Sequence, residues 1–273
     1  MKEKKTLNEN NKILLKDYSK FNYIGFKTMY KRETQRFLKV ATQTLVAPAI
    51  TTILFYMIFA VALKRSVIEI NGVPFSEFLA PGLICMAILQ NSFANTSSSI
   101  LISKVQGNIV DILMPPVSEK ELILAYSLGG ITRGILVGIV VAFTIYLFVP
   151  GSIFSIFHIF FFSVSSALFL SCLGIICGIW AEKFDHMAAI TNFVIVPLTF
   201  LSGTFYSVLN LPVFWQNFTY INPFFYMIVG FRYGILGIND SNIISGMIIL
   251  TLANIVSLIL CMYIFKSGYK LKT

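Results

Sequence analysis

The chain has 273 residues, 56% hydrophobic and 12% charged, with a mean hydropathy of +0.79 and a formal net charge of +9 at pH 7. Soluble domains carry about 25% charged residues, so a soluble globular core is excluded and a polytopic membrane protein is indicated. Cys85, Cys172, Cys177 and Cys261 all lie in apolar runs with no CxxC, and His158 and His186 have no ligand partner at useful spacing, which argues against a disulfide framework and against a metal site.

The first 39 residues hold 11 of the 21 Lys and Arg side chains and no apolar stretch of signal-peptide type. They read as a basic cytoplasmic tail, 1–30, held inside by its charge. A tail ahead of a membrane span accounts for the positive balance without nucleic acid. The segment 21–39 places Tyr23, Phe26, Tyr30 and Phe37 near one helical face and Lys27, Lys31, Arg32 and Arg36 on the others. That pattern suits a basic amphipathic helix in the inner interface, the alternative being a plain extension of the first span.

Runs free of Asp, Glu, Lys and Arg cover 40–63, 78–103, 134–181, 186–231 and 241–265. A spanning helix needs about 20 residues. The turn signal at 149–152, VPGS, divides the third run into a hairpin of two spans. In the fourth run 187–206 is apolar enough to cross, whereas 207–231 is broken by Asn210, Pro212, Gln216, Asn217, Asn222 and Pro223 and reads as a re-entrant or interfacial hairpin on the outer side. Lys266, Lys270 and Lys272 place the C-terminus on the side of the basic N-terminus, which requires an even number of spans. The expectation is an all-α protein with six spans, about 40–63, 78–102, 122–149, 153–180, 187–206 and 243–265, in one membrane domain, 31–268, followed by a tail, 269–273. Of the 21 Lys and Arg, 17 then fall inside and 3 outside (Lys64, Arg65, Arg232).

Between spans two and three lies GNIVDILMPPVSEKELILAY, residues 107–126. Asn108 and Asp111 have the spacing of a helix N-cap pair. The helix they open is expected to expose Ile109, Ile112 and Leu113, and Pro115 ends it. Ser118 and Glu121 fit the capping box that starts the next span. A short apolar-studded helix held between two long ones suits docking of a partner better than a solvent loop.

The spans hold no Asp or Glu, and the sequence has no HExxH and no GxxxxGK[ST] phosphate loop. Intramembrane carboxylates of the kind that couple ions in carriers are therefore missing, and any work done draws on another chain.

The 107–134 segment resembles the region after span two of bacterial ABC-2 type transporter permeases, and FLAPGL (78–83) and the 200–237 segment resemble that family's second span and C-terminal region. The resemblance runs from about Glu33 to the end. It implies an interfacial helix, six spans, a coupling helix at Asn108, Ile109, Asp111, Ile112 and Leu113, and a re-entrant hairpin. It also implies two permease copies with separate cytoplasmic ATPase subunits, which bind ATP and Mg, so that this chain itself has no cofactor and is not catalytic alone. The expected cargo is an exported lipid, glycan or drug-like amphiphile. A channel or facilitator working alone is the rival reading.

Gly130, Gly134 and Gly138, with Gly174 and Gly178, recur at helical spacing and are expected to pack spans three and four closely. Gln90, Asn91, Asn95 and Ser98 in span two, with Asn192, Thr199 and Ser202 in span five, either line a substrate path or act as interhelical glue. Arg133 is either a ligand or an anchor that snorkels to the inner boundary. Arg232 is either an outer headgroup anchor or a contact for substrate phosphate or sugar.

Overall fold

The computed structural model describes residues 21–62, 69–70, 72–149, 151–238 and 240–270. The basic tail before Phe21, together with Lys64, Arg65, Pro150 and Lys272, lies outside them. Among the described residues six helices are long and apolar enough to cross a membrane: α2 (Thr42–Val61), α3 (Phe75–Val105), α5 (Glu119–Tyr146), α6 (Ile156–Trp180), α7 (Phe184–Leu201) and α10 (Ile243–Ser267). Around them sit α1 (Tyr23–Leu38), the short α4 (Ile109–Leu113), α8 (Val213–Ile221) and α9 (Pro223–Leu236). Among the described residues β-structure is confined to an antiparallel pair, Glu69–Ile70 with Val73–Pro74.

The central element is α3, which packs against α5, α6, α9 and α2. Its side chains are buried all round, polar ones included. A dry interior tolerates most of them because their hydrogen bonds close locally or across one helix, Ser92 Oγ and Asn95 Nδ2 being the buried atoms of α3 without a partner. Asn91 donates to Ala87 O at 3.0 Å, Ser97 Oγ to Phe93 O at 2.8 Å, and Thr96 Oγ1 to Ser171 O on α6 at 2.9 Å.

Four of the five glycines meet span two and not each other's helices as expected. A Cβ at Gly178 would stand 2.9 Å from Ser97 O and 3.0 Å from Ile100 Cβ, one at Gly174 would stand 2.6 Å from Phe93 O, one at Gly134 would stand 3.0 Å from Ile88 O, and one at Gly138 would run into Ile88. Gly130 alone also faces α6, through Ser171. The glycines of α5 and α6 thus let α3 sink between them, because its backbone carbonyls come within contact of both.

Helices α2 and α7 share a local device. Each carries a π-turn, Thr42–Val46 at the start of α2 and Thr191–Ile195 inside α7 after Phe184–Ile190, ending two residues before Pro48 and Pro197. Proline lacks an N–H and crowds the carbonyl one turn back, and the wider turn absorbs both defects. These are also among the least covered of the six, with Ile50, Leu54, Phe193 and Val194 exposed.

The 207–231 region forms the expected hairpin: α8 carries an exposed aromatic face of Phe214, Trp215 and Phe218, while α9 runs inward with Phe225, Met227 and Ile228 fully buried. Arg232 is not at the surface, as the sequence suggested, but 1% exposed within the helix bundle. Its guanidinium stacks 3.8 Å over the Phe78 ring, donates to Gly203 O at 2.7 Å and pairs with Asp240 at 3.7 Å. The acid eight residues further on, brought back by the left-handed Gly237 (φ 73°), supplies the charge that permits this burial.

Both described ends of the chain lie at one end of the bundle, here termed basal. Asn22 bonds the Pro116 carbonyl at 2.9 Å, and Lys270 bonds Glu182 at 2.6 Å.

Candidate functional site

The basal end is built from the 106–121 segment upward. After α3, Gly107 takes a left-handed conformation (φ 76°) that turns the chain directly into α4. This leaves Asn108 at φ −83°, ψ 3°, not in the extended conformation an N-cap needs, and its amide faces Gln106 instead. The Asn108–Asp111 cap expected from spacing does not form. The Ser118–Glu121 capping box does, with Glu121 Oε2 accepting from Ser118 N at 2.8 Å. The other Glu121 oxygen accepts from Asn22 N, so one carboxylate ties the start of α1 to the start of α5.

Helix α4 is therefore held firmly, but with the opposite face outward from the one expected. Ile109 and Ile112 are buried with Met29, Ile123, Tyr126 and Ile175, and Leu113 packs beside them. The side chains left in solvent are Val110, Asp111 and Met114, at i, i+1 and i+4. The apolar pair is spent on the protein's own basal core.

Above α4, between α1 and α3, lies a cavity of about 630 Å³ reaching from Asn108 to Arg133. Helix α1 covers it, positioned by Tyr30 Oη against Thr132 at 2.9 Å and by Glu33, whose Cβ lies against Gly129. Glu33 is fully buried and accepts from Ser99 Oγ at 2.8 Å. Burial pushes its carboxyl up from the ordinary value of 4.5, while Arg36, Ser99 and Arg32 pull it back. Arg36 donates to the Asn95 side chain at 2.9 Å and its carbonyl at 2.7 Å, and lies 3.5 Å from Glu33. Arg133 reaches across to Asn91 Oδ1 at 3.2 Å. Arg133 thus faces the cavity and span two.

The residues grouped as a substrate path fall in two places. Asn91, Asn95 and Ser98 are drawn into the arginine cluster, with Gln90 half-buried beside them. At the far end of α7, Thr199 and Ser202 are buried and locally bonded, Ser202 also receiving Asn222 at 2.8 Å, and Asn192 is exposed on α7's open face. The members that sequence reasoning missed are Glu33 and Arg32 and Arg36 as inward groups. The signal was present: Glu33 stands four residues from both Met29 and Phe37, on the apolar stripe of α1.

Six crossing helices, a short basal helix between the second and third, and an inward hairpin before the last form one pattern. The profile of the ABC-2 type transporter matches residues 24–236. The chain belongs to the ABC-2 type transporter family. It is also similar to the curated "Inner membrane transport permease YadH" of Escherichia coli (strain K12), at 36% identity over 251 residues, 92% of this chain and 98% of that protein. The protein of the same name from Shigella flexneri matches equally. As an ABC-2 chain it is a multi-pass membrane permease subunit, and the match begins within α1, so that helix is part of the family's domain.

Proposed function

We propose that the chain is the membrane-spanning half of an ATP-driven exporter of an amphiphile, working as two copies with two separate ATPase subunits in the inner membrane. The observation that carries this reading is α4: a short helix fixed by its own buried apolar pair, presenting Val110, Asp111 and Met114 to solvent at the basal end. A helix fixed that rigidly transmits force from a partner, which a free loop does not. On this reading the basal end is cytoplasmic with both termini, α1 lies in the inner interface, and the ATPase binds the ATP and Mg that this chain has no phosphate loop to hold.

The test is co-expression of the full chain with a candidate phosphate-loop ATPase, purification on a tag carried by the permease, and assay of ATP hydrolysis. Stoichiometric recovery with hydrolysis above that of the ATPase alone is the expected result. Recovery of a nucleotide-independent pore that conducts on its own would replace this reading with the channel one.

A further inference from the structure

The cavity between α1 and α3 holds three guanidinium groups, Arg32, Arg36 and Arg133, against one carboxylate, Glu33. Among the described residues Glu33 pairs with Arg36 alone, so Arg32 and Arg133 have no carboxylate partner. Arg32 makes one long bond, to Ser103 Oγ at 3.3 Å. Arg133 Nε is buried with no acceptor, an arrangement that costs free energy unless an acceptor of another molecule meets it. The hydroxyls of Ser98, Ser103 and Thr44 share the same walls.

A second groove, of about 640 Å³, lies on the outer flank of α1 and shares Arg32 and Arg36 with the first, adding Lys31 and Lys39. Positive charge therefore runs without a break from the surface at Lys31 and Lys39, past Arg32 and Arg36, to Arg133 in mid-helix. Arg133 lies about 21 Å along α5 from Glu119, at 1.5 Å per residue, level with the α1 contact at Thr132. Where α1 lies in the inner interface, as proposed above, this is headgroup depth.

Guanidinium forks match the tetrahedral oxygens of phosphate in a way that ammonium groups do not, and a cluster with excess positive charge in a partly dry cavity selects an anion. We propose that this cavity receives a phosphate group, delivered by an inner-leaflet lipid headgroup or as a free anion. The binding claim stands on the cavity; its place on a transport route rests on the permease reading.

The test uses the full chain in a nonionic detergent, without ATPase or nucleotide, so its failure leaves the coupling reading untouched. Binding of dioleoyl phosphatidic acid is compared with dioleoylglycerol, which has the same tails and no phosphate, and with inorganic phosphate as competitor. The expected result is a preference for the phosphatidic acid of about tenfold or more. It should be lost in Arg32→Gln/Arg133→Gln, restored in part by Arg133→Lys, and unchanged in Lys120→Gln/Lys266→Gln, which lie outside the cavity. Displacement by inorganic phosphate supports the site with a free anion as ligand; binding that resists it supports the site with a lipid headgroup. Should the double arginine variant not fold, Arg32→Gln alone carries the comparison. Equal binding of the two lipids, or equal loss in the Lys120/Lys266 variant, overturns the proposal.

Discussion

Two substitutions on opposite faces of α4 separate docking from folding. Met114 is 76% and Val110 54% exposed, so Val110→Asp/Met114→Asp removes almost no contact within the chain. Stability of the isolated permease should stay within about 0.5 kcal/mol of wild type. In the proposed complex with an ATPase the same side chains are expected to become buried anchors. Losing two of them, with carboxylates left in an apolar contact, costs on the order of 3 kcal/mol, or roughly a hundredfold in Kd for the ATPase. Ile112 is the converse. It is 3% exposed within the basal core, and Ile112→Ala forfeits about 2–4 kcal/mol of packing in the permease itself. Thermal unfolding of the purified chain and titration of the ATPase onto it, run on both variants, give the two readouts. A Val110→Asp/Met114→Asp protein that binds its ATPase with wild-type affinity would refute α4 as the docking element. An Ile112→Ala protein of unchanged stability would refute its assignment to the core.

Arg232→Leu strips the Asp240 carboxylate of its ion-pair partner inside the bundle and should cost about 3–5 kcal/mol, with Arg232→Leu/Asp240→Asn recovering part of it; unfolding of the two variants in detergent checks this. Gly178→Val drives a branched side chain into the Ser97 carbonyl and Ile100, so α3 must shift; a loss of about 1–3 kcal/mol or failure to insert is expected, read by thermal stability and membrane yield. On the proposed orientation, with both ends of the chain cytoplasmic, a cysteine at Leu209 should react with an impermeant thiol reagent in intact cells and one at Lys120 should not; labelling of both would end that orientation.

The crossing helices were legible because a membrane interior forbids charge over about 20 residues, and charge-free runs mark that directly. Their ends were less so. The carboxylate of Glu77 sits in the first turn of α3, where a helix N-terminus welcomes it, so the helix begins ahead of the run. Likewise α5 continues below the membrane-length segment through Glu119–Glu121. Helix α6 begins only at Ile156, because Phe154 and Ser155 donate to the Gly234 carbonyl and stay outside it. The Ser118 cap was readable, since a capping box closes within four residues. The orientation of α4 was not: five residues make little more than one turn, and only the packing of Ile109 and Ile112 against α1, α5 and α6 decides which side faces out. Arg232 and Asp240 were opaque for a similar reason, since each was a lone charge until Gly237 folded one back on the other. Among the candidate site residues the polar groups of span two were visible as a set, but their partners, Arg36 on α1 and Arg133 on α5, come from 40 to 60 residues away along the chain.

The most direct measurement is ATP hydrolysis by the permease and its phosphate-loop partner reconstituted in proteoliposomes, wild type against Val110→Asp/Met114→Asp. Hydrolysis that requires the permease and falls to the level of the partner alone in the double variant is the expected result. Hydrolysis that is the same with and without the permease, or the same for both versions of α4, would contradict the central claim that this chain is driven through its basal helix.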